Sequence, residues 1–123
     1  MAKKSEKMER RSVRQGDIYL QPVDAIPDGV TEVSREQGAA VLAYGESHGH
    51  RHQFANGAKL FSRGSTRFVE VSARGGALLE VTNDRGEPLL EVRHGEVCVP
   101  PGAYEVIQQI EWTASDEARQ VQD

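Results

Sequence analysis

Short apolar or alternating segments, separated by Gly, Pro and Asn turn signals, constrain the fold of this chain most strongly. In the segment Asp17 to Val23, Ile18 and Leu20 share one face, which is the pattern of a half-buried strand. Residues 39–44 form a short apolar run, which is typical of a strand buried on both faces. About eight to ten such segments at this spacing predict an all-β fold, either a small barrel or a compact sandwich.

The clearest predicted hairpin has its turn at residues 83–86. Alternation places Ala77, Leu79 and Val81 on one face of the strand before the turn. A slip of one residue would bring glutamates into the core, so the pattern favours a single register. In that register we expect Leu79 to lie opposite Leu90.

The length of 123 residues fits one domain. We expect residues 1–14, which are polar and carry more basic than acidic side chains, to form a charged flexible tail, and residues 15–123 to form a single all-β domain. The tail is either solvated or a basic arm that docks on RNA, DNA or an acidic partner. The net charge of −4 gives the whole chain no general attraction to nucleic acid or to an anionic membrane.

Two further features bear on the compartment. Cys98 is the only cysteine, so an internal disulfide is excluded and a reducing cytoplasm is expected. No run approaches the 18 or more apolar residues of a membrane span. We therefore expect a cytoplasmic protein with no membrane contact.

The stretch "GESHGHRH" is the strongest candidate for a functional site. His48, His50 and His52 occupy alternate positions, and a strand points alternate side chains to one face while Arg51 points to the other. Neighbouring members of such a row have Cβ atoms roughly 6–7 Å apart, so two imidazoles can share one ion, whereas the outer pair is roughly 13 Å apart. His50 and His52 are therefore the better pair, with a third ligand from another strand.

The third ligand is predicted to be His94, which ends the second strand of the predicted hairpin. His48, Glu46, Glu96 and Glu105 are the alternatives. Three imidazoles with an open position suit Zn, Fe, Mn or Ni, and imidazole does not choose among them. One competing interpretation is a surface loop whose histidines are solvated or bonded to neighbours, and another is acid/base chemistry or ligand binding without metal.

Arg51 and Arg67 are candidates for binding an anion near this site, or else are solvated surface residues.

Two stretches resemble the cupins. In that family an HxH pair follows a glycine, and a later PxG turn precedes another histidine. Here Gly45 precedes His50 and His52, and Pro100-Pro101-Gly102 supplies the turn. The resemblance implies a cupin-like barrel and a metalloenzyme. Glu105 stands where the final histidine of the pattern would be.

The pattern "GE-x-x-GHxH" followed by "PPG-x-Y-x-V-x-x-Q" is also similar to small uncharacterised bacterial and phage proteins. This resemblance runs from Gln15 to the end of the chain and implies a bacterial or phage source without naming an activity. The residues that carry it are His50, His52, Pro101, Gly102, Tyr104 and Gln108.

Three functions follow as expectations. The first is a small accessory protein that binds a divalent metal through histidines. The second is a structural or adaptor protein that oligomerises, or binds a partner protein, within a larger bacterial or phage assembly. The third is a cupin-like metalloenzyme. No catalytic residue and no organic cofactor is predicted.

Overall fold

The structure is a computed structural model that describes residues 11–44, 50–83, 87 and 95–108. Within these ranges the chain forms ten strands and none of the described residues forms a helix long and apolar enough to span a membrane. The strands are β1 Val13–Gln15, β2 Ile18–Val23, β3 Thr31–Glu32, β4 Ala40–Tyr44, β5 Arg51–Phe54, β6 Ala58–Arg63, β7 Thr66–Val71, β8 Ala77–Thr82, β9 Val97–Val99 and β10 Gly102–Gln108.

The strands form two sheets, which confirms the predicted all-β class. One sheet has six strands in the order β1-β2-β10-β7-β6-β3, and the other has four in the order β4-β5-β8-β9. Every pairing between the named strands is antiparallel. Strand β1 includes Val13 and Arg14, the last two residues of the predicted tail, so regular pairing begins before Gln15.

The core lies between the two sheets, and the alternation of the sequence explains which side chains enter it. On β2, Ile18 and Leu20 are fully buried, as predicted, and Tyr104 of β10 joins them from the same sheet. Phe54 of β5 and Leu79 of β8 enter the core from the other sheet. Burial of large apolar side chains such as these is the main stabilising term of a domain of this size.

The predicted hairpin partner of β8 is wrong. Leu79 pairs with Phe54 of β5 on one side and with Val97 of β9 on the other. Both lateral positions of Leu79 are therefore taken by strands other than the predicted partner, and Leu90 itself lies outside the described residues. The face assignment is confirmed, because Ala77 and Leu79 are buried.

The registers give the sandwich two distinct ends. One end carries the turn between β1 and β2, the last residues of β4, β8 and β10, and the first residue of β5. We call it the histidine end because it contains His52, the second residue of β5. Its other residues are Gly16, Asp17, Tyr44, Arg51, Thr82, Gly95 and Gln108. The opposite end, which we call the turn end, carries the connections at residues 55–57, 72–76 and 100–101.

Candidate functional site

His52 is a buried polar residue at the histidine end. It lies two positions before Phe54 on β5, so its side chain faces the interior between the sheets, and it is 6% exposed. Arg51 faces the other side of the sheet, where its guanidinium contacts Gln37, Gln53 and Glu36. The predicted alternation of His52 and Arg51 is therefore confirmed.

A glutamine from the other sheet fixes the tautomer of His52. The Gln15 Nε2 atom donates to the backbone oxygens of Leu79 at 2.9 Å and Gly95 at 2.7 Å. Its Oε1 atom must therefore be the acceptor for the third contact, which joins it to His52 Nδ1 at 2.8 Å. An acceptor at that position requires a proton on Nδ1, so the neutral ring carries its free lone pair on Nε2.

A carboxylate faces that lone pair. Asp17 lies in the two-residue turn between β1 and β2, and its Oδ1 atom is 3.6 Å from His52 Nε2. Its Oδ2 atom accepts a hydrogen bond of 2.9 Å from Gln108 Nε2. Both members of the pair are thus held by a glutamine, Gln15 behind the imidazole and Gln108 behind the carboxylate.

Gly16 allows the turn to approach the imidazole. Its φ is +60°, a value that suits glycine at the first central position of a tight hairpin turn. A Cβ atom at this position would lie 3.4 Å from His52 Cε1. A Cβ at this position would be in van der Waals contact with the ring, so the turn that carries Asp17 lies directly against His52.

Burial decides the charge of His52 at neutral pH. Desolvation lowers the pKa of His52 below its ordinary value, Asp17 opposes this, and His50 adds to the lowering. Because the net shift is downward, the imidazole is neutral at pH 7. Asp17 Oδ1 and His52 Nε2 then meet as two acceptors with no proton between them.

The other predicted ligands have different positions. His50 directly precedes β5 and is partly exposed, and its effect on the pKa of His52 shows that the two are close enough to interact. His94, His48 and Glu46 lie outside the described residues. Glu105 is paired with Gln21 and Phe68, on the opposite face of its sheet from the core residues of β10. Within the described ranges, no group of three His, Cys, Asp or Glu side chains is placed to hold a metal ion.

The sequence did not indicate Asp17 or Gln15 as site residues. The signal available was the Gly16-Asp17 pair between two strand-like segments, which marks a tight turn but not what the turn faces. Gln108 did stand out, as one of the residues on which the predicted resemblance to small bacterial and phage proteins rests.

Comparison with known proteins gives a family without an activity. Residues 14–109 match the family described as Domain of unknown function (DUF8820), and this range includes all three residues around His52. No curated protein and no solved structure matches the chain. Since the matched range covers most of the sequence, the chain belongs to the DUF8820 family.

Proposed function

We propose that this protein binds a divalent metal ion at the histidine end, with His52 Nε2 and the Asp17 carboxylate as two of the ligands. The observation that carries the proposal is the Nε2 lone pair of the buried residue His52 facing a carboxylate oxygen at 3.6 Å. Two acceptors in this arrangement repel each other, and a cation between them turns the repulsion into two bonds.

The separation of the two atoms supports this assignment. Nitrogen and oxygen ligands lie about 2.1 Å from zinc, and at a tetrahedral angle two such ligands are about 3.4 Å apart. The distance of 3.6 Å between His52 Nε2 and Asp17 Oδ1 is close to that value. A direct hydrogen bond would need a shorter distance.

The surrounding hydrogen bonds also suit a metal site. A metal-bound histidine usually donates its other ring N–H to an acceptor, which fixes the tautomer and makes the ligand more basic. Gln15 Oε1 is that acceptor for His52, and Gln108 holds the second oxygen of Asp17. The low pKa of His52 helps further, because a neutral imidazole loses no proton on binding the ion.

The proposal takes its third ligand from outside the described residues, since within them no group of three His, Cys, Asp or Glu side chains is placed to hold a metal ion. Gly95, which contacts Gln15, is the sequence neighbour of His94, and this favours His94 as a further ligand. A mixed nitrogen and oxygen set suits Zn, Fe, Mn or Ni. A site that keeps one position for water or a ligand would be that of a metalloenzyme, and a filled one that of an accessory protein.

The test is zinc binding by isothermal titration calorimetry, with metal content of the desalted protein measured by mass spectrometry. We expect the wild type to bind one zinc ion per chain. His52→Ala and Asp17→Asn should weaken binding at least about tenfold, since each removes a ligand. Asp24→Asn is the matched control, because Asp24 is an exposed carboxylate beyond the other end of β2.

The proposal fails if the wild type takes up no zinc, manganese, nickel or ferrous iron. It also fails if His52→Ala and Asp17→Asn bind these ions as tightly as Asp24→Asn does.

A further inference from the structure

Arg67 is a half-buried cation that the metal site does not use. It lies on β7, paired with Val106 of β10, and Val106 is in turn paired with Leu20 of β2. Directly paired residues point to the same face of a sheet, and Leu20 and Val106 belong to the core. Arg67 therefore enters the interior between the sheets rather than the outer surface.

Few of the donors of Arg67 are used by the described part of the chain. A guanidinium carries five N–H donors, and within the described ranges the side chain of Arg67 makes one hydrogen bond, from Nη1 to the Leu42 backbone oxygen. No described carboxylate forms an ion pair with it. Burial lowers the pKa of Arg67. Arg51, by contrast, contacts Glu36, Gln37 and Gln53 through its two terminal nitrogens, although its Nε is buried with no partner in the described part of the chain.

Arg67 points to the same end as His52. Leu42, which accepts its hydrogen bond, precedes Ala43, and Ala43 is paired directly with His52. The path from Arg67 Nη1 to the His52 Cα atom runs over one hydrogen bond to Leu42, one peptide unit to Ala43 and one strand spacing to His52. The two atoms are therefore within roughly 11 Å of each other. A ligand of a few carbon atoms can span the distance between the two side chains.

We propose that Arg67 binds the carboxylate or phosphate group of a small anionic ligand at the histidine end, beside the metal ion held there. The ligand would make two contacts, one to Arg67 and one to the metal ion. The second contact rests on the proposed function. It names the ligand class of that site as a small oxyanion.

The chemistry of the guanidinium favours this class. Its planar pair of N–H donors matches two oxygens of a carboxylate or phosphate, and these charge-assisted bonds are about twice as strong as neutral ones. An interior position strengthens them further, because less water competes. A neutral ligand of the same shape would leave the charge of Arg67 uncompensated.

A purely structural role for Arg67 makes a different prediction. In that case the side chain only ties β7 to β4 through Leu42, and its replacement would alter stability without altering the binding of any anion. Arg63 is the matched control, since it lies on the same hairpin and donates to one backbone oxygen, that of Asp28. Arg63 is exposed and faces the outer surface.

The experiment is calorimetric titration of the full chain, zinc-loaded and metal-free, with succinate, inorganic phosphate and the neutral analogue succinamide. We expect the zinc-loaded wild type to bind succinate or phosphate and to bind succinamide at least tenfold more weakly. Arg67→Gln should weaken anion binding at least tenfold, and Arg63→Gln should change it less than twofold. The stronger of the two anions identifies the head group.

Two further measurements keep the test decisive. Arg67→Lys retains the charge but loses the planar fork, so its affinity should fall between wild type and Arg67→Gln; thermal unfolding of each variant shows that it is folded. Equal anion affinity in wild type and Arg67→Gln, or no anion binding by zinc-loaded wild type, overturns the inference. A third outcome separates the two proposals. If the protein takes up no zinc but the metal-free wild type binds the anion, and Arg67→Gln abolishes that binding, the metal site is disproved and the Arg67 contact is supported.

Discussion

The apolar interior of the sandwich is closed at both ends, but by different groups. At the turn end it is closed mainly by backbone groups. The Gly57 backbone oxygen accepts from the backbone N–H groups of Ser72 and Ala73, and Tyr104 donates its hydroxyl to the Pro100 backbone oxygen at 2.7 Å. Gly76 packs so tightly that an added Cβ would lie 2.7 Å from the Val99 backbone oxygen.

At the histidine end the closing groups are polar side chains. Gln15 and His52 are both buried, and each uses a side-chain hydrogen bond that crosses from one sheet to the other. Burying such groups costs more than burying a backbone turn, and the cost is recovered only when every donor and acceptor is paired. His52 Nε2 faces Asp17 Oδ1 at 3.6 Å without a hydrogen bond, and Arg51 Nε is buried with no hydrogen-bond partner among the described residues. Unpaired polar groups of this kind make this end a candidate for a functional site.

The comparison predicts that substitutions at the turn end lower the free energy of unfolding, whereas substitutions at the histidine end lower zinc affinity. The largest loss of stability is expected from Gly76→Ala at the turn end. The φ of Gly76 is +96° and the new Cβ meets backbone, so we expect a loss of about 3 kcal/mol or more in the free energy of unfolding. Urea unfolding measures it. The control is Gly64→Ala, because Gly64 has a φ of +62° but nothing within 4 Å of its Cβ position; there we expect about 1 kcal/mol.

Zinc affinity should respond in the opposite way. Gly76→Ala, measured at a temperature where it is folded, should bind zinc within about twofold of wild type, whereas Asp17→Asn should lose about a hundredfold. Asp17 is partly exposed at a turn, so its replacement should change the free energy of unfolding of metal-free protein by less than about 1 kcal/mol. Equal effects of both variants on zinc affinity would break the comparison.

Gln15 joins stability and binding at one residue. Gln15→Leu removes the acceptor for His52 Nδ1–H and the donor to the Leu79 and Gly95 oxygens. We expect zinc affinity to fall about 10- to 100-fold and the free energy of unfolding to fall by about 1–3 kcal/mol. Calorimetry and urea unfolding on one preparation measure both. A variant with unchanged zinc affinity would show that the orientation of His52 does not matter.

The smallest effect is a pH dependence of the metal-free protein. Burial lowers the pKa of His52 in the folded state, so at pH values between the folded and unfolded pKa the unfolded chain binds more protons. Stability should therefore rise with pH and be lost as the pH falls below about 6.5, with a slope of at most about 1.4 kcal/mol per pH unit. Urea unfolding between pH 8 and pH 5 tests it. His52→Gln should flatten this part of the curve, and an unchanged curve would contradict the assignment.

Much of the fold was predictable from local pattern alone. The alternation of Ile18 with Leu20 and of Ala77 with Leu79 gave the correct buried faces, because side-chain direction in a strand depends only on position parity. The partner of Leu79 was not predictable in this way. A turn signal after β8 favoured the adjacent segment, whereas the sheet places β5 and β9 at that position.

The site divides along the same line. Spacing alone placed His52 on the face opposite Arg51, and the structure confirms it. The residues that face His52 come from far away in sequence: Gln15 and Asp17 lie in the first hairpin and Gln108 in the last described strand. Contacts of this kind depend on how the two sheets pack, which cannot be predicted from the spacing of residues within one segment. The predicted ligand His94 stays a prediction.

The most direct test of the central claim is an anomalous difference map at the zinc absorption edge, from a crystal of the zinc-loaded protein. The account predicts one strong peak about 2.1 Å from both His52 Nε2 and the Asp17 carboxylate. A crystal in which zinc occupies other positions and leaves His52 bonded directly to Asp17 would contradict it.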